Sequence, residues 1–312
     1  MILITGGSGY LGGRLAEFLS TSQVKPVVLA TKNKNYYLPE QLNHCKIAYL
    51  DVTNIKSIRN ALKNVTDVIH LAALNMEDSL ADPEKAKRVN IQGTLNLLEN
   101  SKGTTVKRFI YISTAHIYGA PLAGFIDEST IPKPSHPYAT THYFAEQHVL
   151  SVNEDEKISG TVLRLSNAVG APIVKDVNCW MLVINDLIRQ IIQTNAMCFK
   201  SSRTVKRNFI SINEVCRAVD FILNSKLEKL KGIYNLGSDT SISLGDLADI
   251  IAQRASIKLG IKPEISFHDN SVKLSNELFY STKKIQSEGF RIDNDLEFEI
   301  DNLLKYCKKW FA

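Results

Sequence analysis

Residues 1–170 alternate between short apolar runs and stretches with helical spacing. Six runs rich in Ile, Val and Leu predict strands at 2–5, 27–30, 47–50, 68–71, 109–113 and 162–165. Their near-continuous apolar character suits strands buried on both faces. Between them, Leu11, Leu15, Phe18 and Leu19 fall on one face of a helix, as do Ile91, Leu95 and Leu98 further on. Such alternation predicts an α/β chain with a doubly wound parallel sheet and helices on both faces. Past residue 170 the pattern loosens. Helical stretches at 180–194, 213–224, 244–258 and 296–310 dominate, with one strand-like run at 233–236. The expectation is a first domain over 1–170, to which the chain returns near 207–237. A smaller, mostly helical part would come from 171–206 and 238–312.

The 312 residues, 44% apolar and 22% charged, suffice for one large domain or two smaller ones. A net charge of +5 without a block of like charge gives no reason to expect nucleic acid as a partner. The five cysteines, Cys45, Cys179, Cys198, Cys216 and Cys307, are scattered and form no CxxC pair. That speaks against a disulfide framework or a metal site and fits a reducing compartment. A strand at the very start leaves no room for a signal peptide. The most apolar helical stretch, 180–192, is interrupted by Asn185, Asp186, Arg189 and Gln190, so no membrane span is expected. Together these features predict a cytoplasmic chain.

The segment Thr5-Gly6-Gly7-Ser8-Gly9-Tyr10-Leu11-Gly12 follows the first strand and opens the first helix. It contains GxGxxG from Gly7 and GxxGxxG from Gly6. Glycines permit a tight turn and close backbone approach, and the helix N-terminus offers free N–H groups to phosphates. In this setting the motif predicts a Rossmann-like, dinucleotide-binding first domain. An acidic residue ending the second strand would select NAD through the ribose 2′-OH. Here Thr31 and Lys32 stand there instead, followed by Asn33 and Lys34. A hydroxyl and an ammonium suit a 2′-phosphate, which favours NADP over NAD.

Several further segments resemble the extended short-chain dehydrogenase/reductases, the NAD-dependent epimerase/dehydratase family acting on nucleotide sugars. The resemblance runs through almost the whole chain. Asp51-Val52 is similar to the family's adenine-contacting pair after the third strand. His70-Leu71-Ala72-Ala73 resembles its HxAA strand end along the cofactor, and Asn90-Ile91-Gln92-Gly93-Thr94 its VNxxGT helix segment. The resemblance therefore implies cofactor contacts at Gly6, Gly9, Tyr10, Leu11, Gly12, Asp51, Val52, Leu71, Ala72, Ala73 and Asn90. The segment from Ile112 to Gly119 resembles the SSxxVYG strand end, which gives Thr114 the role of the catalytic hydroxyl. Such a hydroxyl can hold a substrate oxygen whose charge changes during hydride transfer.

Pro137-Tyr138-Ala139-Thr140-Thr141-His142 and the residues up to Glu146 resemble the PYxxSKxxxE segment, with Tyr138 at the catalytic tyrosine. An unperturbed tyrosine, with a pKa of about 10, is a poor base at neutral pH. The family sets a lysine one helical turn on, where its charge favours phenolate and its ammonium holds the nicotinamide ribose. This chain has His142 there. The spacing implies that His142 keeps the ribose contact and activates Tyr138 less. Ala115-His116 stand where 4,6-dehydratases of the family carry an Asp-Glu pair, which argues against that elimination and leaves His116 as a substrate contact or a structural histidine. Leu163 to Gly170 resembles the LRxxNxxGP motif, and Asn167 inherits its phosphate contact. Lys206-Arg207-Asn208-Phe209-Ile210 resembles the RDFIH segment, whose arginine reaches the substrate pyrophosphate. A surface ion pair is the rival role for Arg207.

The resemblance implies an epimerase or 4-ketoreductase for a nucleoside-diphosphate sugar, using NADP or NAD. It also implies a homodimer built through the helices beginning near Pro83 and Tyr138. The alternative is a non-catalytic dinucleotide-binding sensor, which would have no use for Thr114 and Tyr138.

Overall fold

In the computed structural model, which describes residues 1–154, 157–268 and 277–312, seven parallel strands form the central sheet. Their spatial order is Gly232–Leu236, Ser159–Leu165, Arg108–Thr114, Asp67–His70, Ile2–Thr5, Val27–Thr31 and Lys46–Tyr49. Every residue of the five inner strands is buried. That is why they read as unbroken apolar runs rather than alternating ones. The edge strand Lys46–Tyr49 departs from the expectation of burial on both faces. Ile47 and Tyr49 are exposed, because nothing pairs beyond this strand in the sheet.

Alternate side chains of each strand serve opposite layers. Ile2 and Ile4 join Leu15 and Leu19 of helix Tyr10–Ser22, and Val215 and Ile222 of helix Ile212–Asn224, in one core. Leu3 and Val68 face Leu97 and Leu98 of helix Gly93–Ser101, and Ala145 and Val149 of helix Pro137–Ser151, in the other. The chain runs outward from Ile2–Thr5 to Lys46–Tyr49. It then returns to place Asp67–His70 on the other side of the first strand, with Thr5 opposite His70. The strand order therefore reverses between these two strands, and a doubly wound sheet opens its ligand crevice at their C-terminal ends.

A third core lies beyond the sheet. It is built by Ile184, Ile188 and Ile191 of helix Val183–Thr194, by Leu247 and Ile251 of helix Leu244–Leu259, and by Ile300, Leu303 and Leu304 of helix Leu296–Phe311. This part is less purely helical than its pattern predicts. Lys206–Ser211 pairs with Asn167–Val169 on one side and Ser241–Ser243 on the other. Ala196–Phe199 pairs with Glu264–Phe267, and Gly124–Ile126 with Leu278–Tyr280. Apart from the six-residue Lys206–Ser211, these strands run three or four residues, too short to show a period. Arg14 on the first helix donates to both oxygens of buried Glu299 on the last, at 2.9 and 3.2 Å, and to the carbonyl of Ala171. Among the described residues no helix is long and apolar enough to cross a membrane.

Candidate active site

The glycine turn folds in the GxxGxxG register. Gly6 has φ +66°, in the left-handed region that glycine alone enters without strain. A Cβ on Gly12 would lie 2.3 Å from the carbonyl oxygen of Gly6, so only hydrogen lets the helix start this close to the strand. Gly9 is the N-cap of Tyr10–Ser22, with no side-chain cap and no acidic residue in the first turn. The first N–H groups and the positive helix end thus remain for an anion, as a dinucleotide pyrophosphate requires. Tyr10 turns its hydroxyl onto the Gly170 carbonyl at 2.8 Å, and Leu11 packs on the core. At the end of the second strand the Thr31 hydroxyl accepts from Ser8 of the glycine turn and from the Asn33 amide, and Lys32 is exposed. Asp51 commits Oδ1 to the amide and hydroxyl of Thr53. Val52 lies against Gly93, where a Cβ would come within 2.6 Å of it.

His70 ties the crevice together. Its Nε2 is 2.9 Å from the Thr94 hydroxyl, whose one hydrogen goes to the Asn90 carbonyl at 2.6 Å. Nε2 must therefore donate, and Nδ1 accepts from the Thr5 hydroxyl at 2.7 Å. Thr5 Oγ1 in turn accepts from the amides of Leu71 and Ala72, fixing the backbone that leads to exposed Ala73. Burial holds the imidazole neutral, with its pKa down at about 3. Asn90 accepts from the Leu74 amide and donates to Thr141, whose hydroxyl donates to the Tyr138 carbonyl.

Thr114 ends its strand and is buried, and its hydroxyl accepts from the His116 amide at 3.2 Å. Burial pushes the Tyr138 pKa up, and the Thr114 hydroxyl pulls against that shift. His142 is buried beneath Tyr138, the ring centroids 4.2 Å apart, and its Nδ1 lies 2.8 Å from the Tyr138 carbonyl. A carbonyl only accepts, so Nδ1 carries the hydrogen. Burial, opposed by that bond, brings the His142 pKa down to about 4. The ring is then neutral at physiological pH, and Nε2 presents a lone pair. Where a lysine would offer a cationic donor, this chain offers a neutral acceptor.

On the substrate side, His116 is half-buried. Burial lowers its pKa first, then the nearby charges of Arg207 and His136. Arg207 is half-buried, and desolvation alone lowers its pKa. Among the described residues its side chain makes no ion pair and no hydrogen bond, unlike neighbouring Lys206, which pairs with Glu277 at 2.6 Å. The surface ion pair considered as its rival role is therefore not formed among the described residues. Asn167 donates to the Asn208 carbonyl at 2.8 Å, which pins it to the neighbouring strand.

Two features escaped the sequence reading. Glu146 and Arg164 form a fully buried ion pair, 2.7 Å at its shortest, that clamps the Tyr138 helix to the strand leading to Asn167. Arg164 also lies over the Tyr118 ring at 4.8 Å. His136 caps the same helix, its Nδ1 accepting from the Tyr138 amide at 3.1 Å. The Ser/Thr/Asp/Asn preference at N-caps gives no cue to a histidine there. Among the described residues no cluster of metal-ligating side chains occurs.

The sequence profile of the NAD dependent epimerase/dehydratase family matches residues 2–237. The chain is 26% identical to the UDP-glucuronate 4-epimerase of Thermodesulfobacterium geofontis, over 99% of this chain and 95% of that one. Among solved structures, UDP-glucose 4-epimerase of Thermotoga maritima with UDP-glucose superposes with a TM-score of 0.82, covering 100% of this chain and 99% of that one at 21% identity. MoeE5 in complex with UDP-glucuronic acid and NAD gives 0.81 at 22% identity, covering 99% of both. At these identities the structural likeness is one of fold.

Proposed function

Because the chain belongs to the NAD-dependent epimerase/dehydratase family, we propose that it is a nucleoside-diphosphate-sugar epimerase working by hydride transfer at a sugar carbon. The observation that carries this reading is the placement of Thr114 at a strand end beside the crevice, close enough to Tyr138 for its hydroxyl to act on the phenol. A sensor would have no need of that placement. Tyr138 exchanges a proton with the reacting sugar oxygen, and Thr114 holds that oxygen as its charge changes. Arg207 reaches the diphosphate with an uncommitted guanidinium, and Asn167 contributes from the adjoining strand. The solved relatives that hold UDP-sugars support the substrate class.

A nicotinamide dinucleotide supplies the hydride donor and acceptor when bound. The backbone of Gly6, Gly9, Tyr10, Leu11 and Gly12 would hold its pyrophosphate, Asp51 and Val52 its adenine, and Leu71, Ala72, Ala73 and Asn90 its path across the sheet. His142 would accept from the nicotinamide ribose rather than donate to it. Thr31 and Lys32, without a carboxylate, favour NADP at the 2′ position. A ketoreductase is the second reading. A neutral His142 and a Tyr138 pKa raised by burial keep the phenol protonated, ready to give a proton to a developing alkoxide. A homodimer would use the Pro137–Ser151 helix, where Phe144 is half exposed, and the helix beginning at Pro83.

The test joins native mass spectrometry, for the dinucleotide retained, to turnover of nucleotide sugars followed by proton NMR. Tyr138→Phe is expected to lower turnover by about 10²- to 10⁴-fold with dinucleotide binding intact. Undiminished turnover in that variant would refute the assignment.

A further inference from the structure

The two halves of the crevice belong to different parts of the fold. The dinucleotide half is the glycine turn and helix Tyr10–Ser22. The sugar-nucleotide half is carried by Asn167 and Arg207, on strands Asn167–Val169 and Lys206–Ser211 outside the central sheet. Hydride transfer needs the nicotinamide and the sugar carbon in near-contact, so the setting of one half against the other must be held finely.

The last helix, Leu296–Phe311, spans that divide. Just before it, Asn294 fastens to the Arg207 strand, accepting from the Ser211 amide at 2.7 Å and donating to the Phe209 carbonyl at 3.0 Å. One turn into it, fully buried Glu299 reaches the other half through its two bonds from Arg14 of the first helix. Its Oε1 also accepts from the Asn213 amide at 3.2 Å, two residues past the Arg207 strand. Its Oε2 lies against the Gly170 backbone, where a Cβ would come within 2.7 Å of it. Tyr10 and Arg14, one turn apart on the first helix, bond the carbonyls of Gly170 and Ala171 at 2.8 and 2.9 Å. Glu299 thus stands where the glycine helix, the chain leaving the Asn167 strand and the chain leaving the Arg207 strand meet.

Stability alone gives no reason for a charge at this junction. Desolvating a buried ion pair offsets most of its attraction, and apolar side chains of similar volume often serve as well. Apolar contacts, however, carry no direction. A guanidinium fork on both carboxylate oxygens fixes distance and angle together.

Resting on the nucleotide-sugar reading above, we propose that Glu299 is a positioning residue, which holds the dinucleotide half and the sugar-nucleotide half of the crevice in register for hydride transfer. It acts through Arg14, Asn213 and Gly170. Each half keeps its own ligand contacts without it, so its loss slows the transfer and spares the binding.

The experiment compares the parent protein with Glu299→Gln and with Arg14→Met/Glu299→Leu. The single variant removes the charge at constant shape. The double variant replaces the pair by apolar side chains, which avoids a stranded guanidinium and keeps the fold stable. Dinucleotide-loaded protein is mixed with UDP-glucose and with UDP-glucuronate, and the single-turnover change in nicotinamide absorbance is taken per bound dinucleotide, so that any unfolded fraction drops out. The transfer rate is expected to fall by about 10- to 10²-fold in both variants. The Kd values for the dinucleotide and for UDP, from isothermal titration, should hold at the parent values. A parent rate in the double variant, or ligand affinities that fall in step with the rate, would reduce Glu299 to a structural role and overturn the inference, leaving the proposed function standing. Absence of transfer with either sugar in the parent overturns the proposed function and this inference with it.

Discussion

Replacing His142 by lysine would restore a cation under Tyr138, and the size of the effect follows from the geometry. The two rings lie 4.2 Å apart and tilted by 45° on one helical turn, and His142 is neutral because burial brings its pKa down to about 4. An ammonium about 6 Å from the phenol oxygen, at an effective dielectric of about 20, favours phenolate by about 3 kcal/mol, or about 2 pKa units. Burial raises the Tyr138 pKa in the parent protein, so the lysine works against that shift. The acidic limb of the kcat/KM profile, below which Tyr138 is protonated and cannot lift the sugar proton, should move to lower pH by roughly that amount. A tyrosinate titration by ultraviolet difference absorbance, with His142→Lys/Tyr138→Phe as the blank, reads the same shift without substrate. An unmoved limb and an unmoved titration would refute the claim that His142 leaves the phenol without electrostatic help.

Glu146→Ala should destabilise the fold by about 3–5 kcal/mol in urea denaturation, because it strands the buried Arg164 guanidinium. Gly12→Ala should abolish dinucleotide retention in native mass spectrometry and cost roughly 1–3 kcal/mol, since the added methyl would press on the Gly6 carbonyl. His70 and His142 are both held below the ordinary 6.5, at about 3 and about 4. The unfolded chain therefore takes up protons that the folded one refuses, so this stabilisation is full above about pH 6.5 and drains as the pH falls toward 3. The urea midpoint should drop over that window, and His142→Gln should lessen the drop.

The sheet was legible because its inner strands are buried on both faces and leave continuous apolar runs, and because Gly6 and Gly12 answer a steric demand that no other residue meets. Lys46–Tyr49 carries the same residue types in an exposed edge, a difference of neighbours that the run itself does not record. The segment around Tyr138 could be found by its motif. The partnership of Glu146 with Arg164 could not, since eighteen residues separate them and only the folded sheet brings them together. His136 was passed over for a related reason: its capping role depends on ring orientation, which spacing does not encode. The polarity of His142 likewise depends on which nitrogen faces the Tyr138 carbonyl.

The hydrogen-bond chain through His70 has a bearing on where protons can travel. Its hydrogens all point one way, from Thr5 through His70 and Thr94 to the Asn90 carbonyl, and from the Asn90 amide through Thr141 to the Tyr138 carbonyl. Both stretches end on oxygens that have no hydrogen to pass on. Such wiring is an insulator, stiff enough to align the crevice but closed to proton traffic through the protein interior. If Tyr138 lifts a proton from a sugar, this chain, which ends on the Tyr138 backbone carbonyl, gives that proton no route inward. In an epimerase that would turn the structural core into a safeguard, keeping the proton with the substrate through both halves of the reaction.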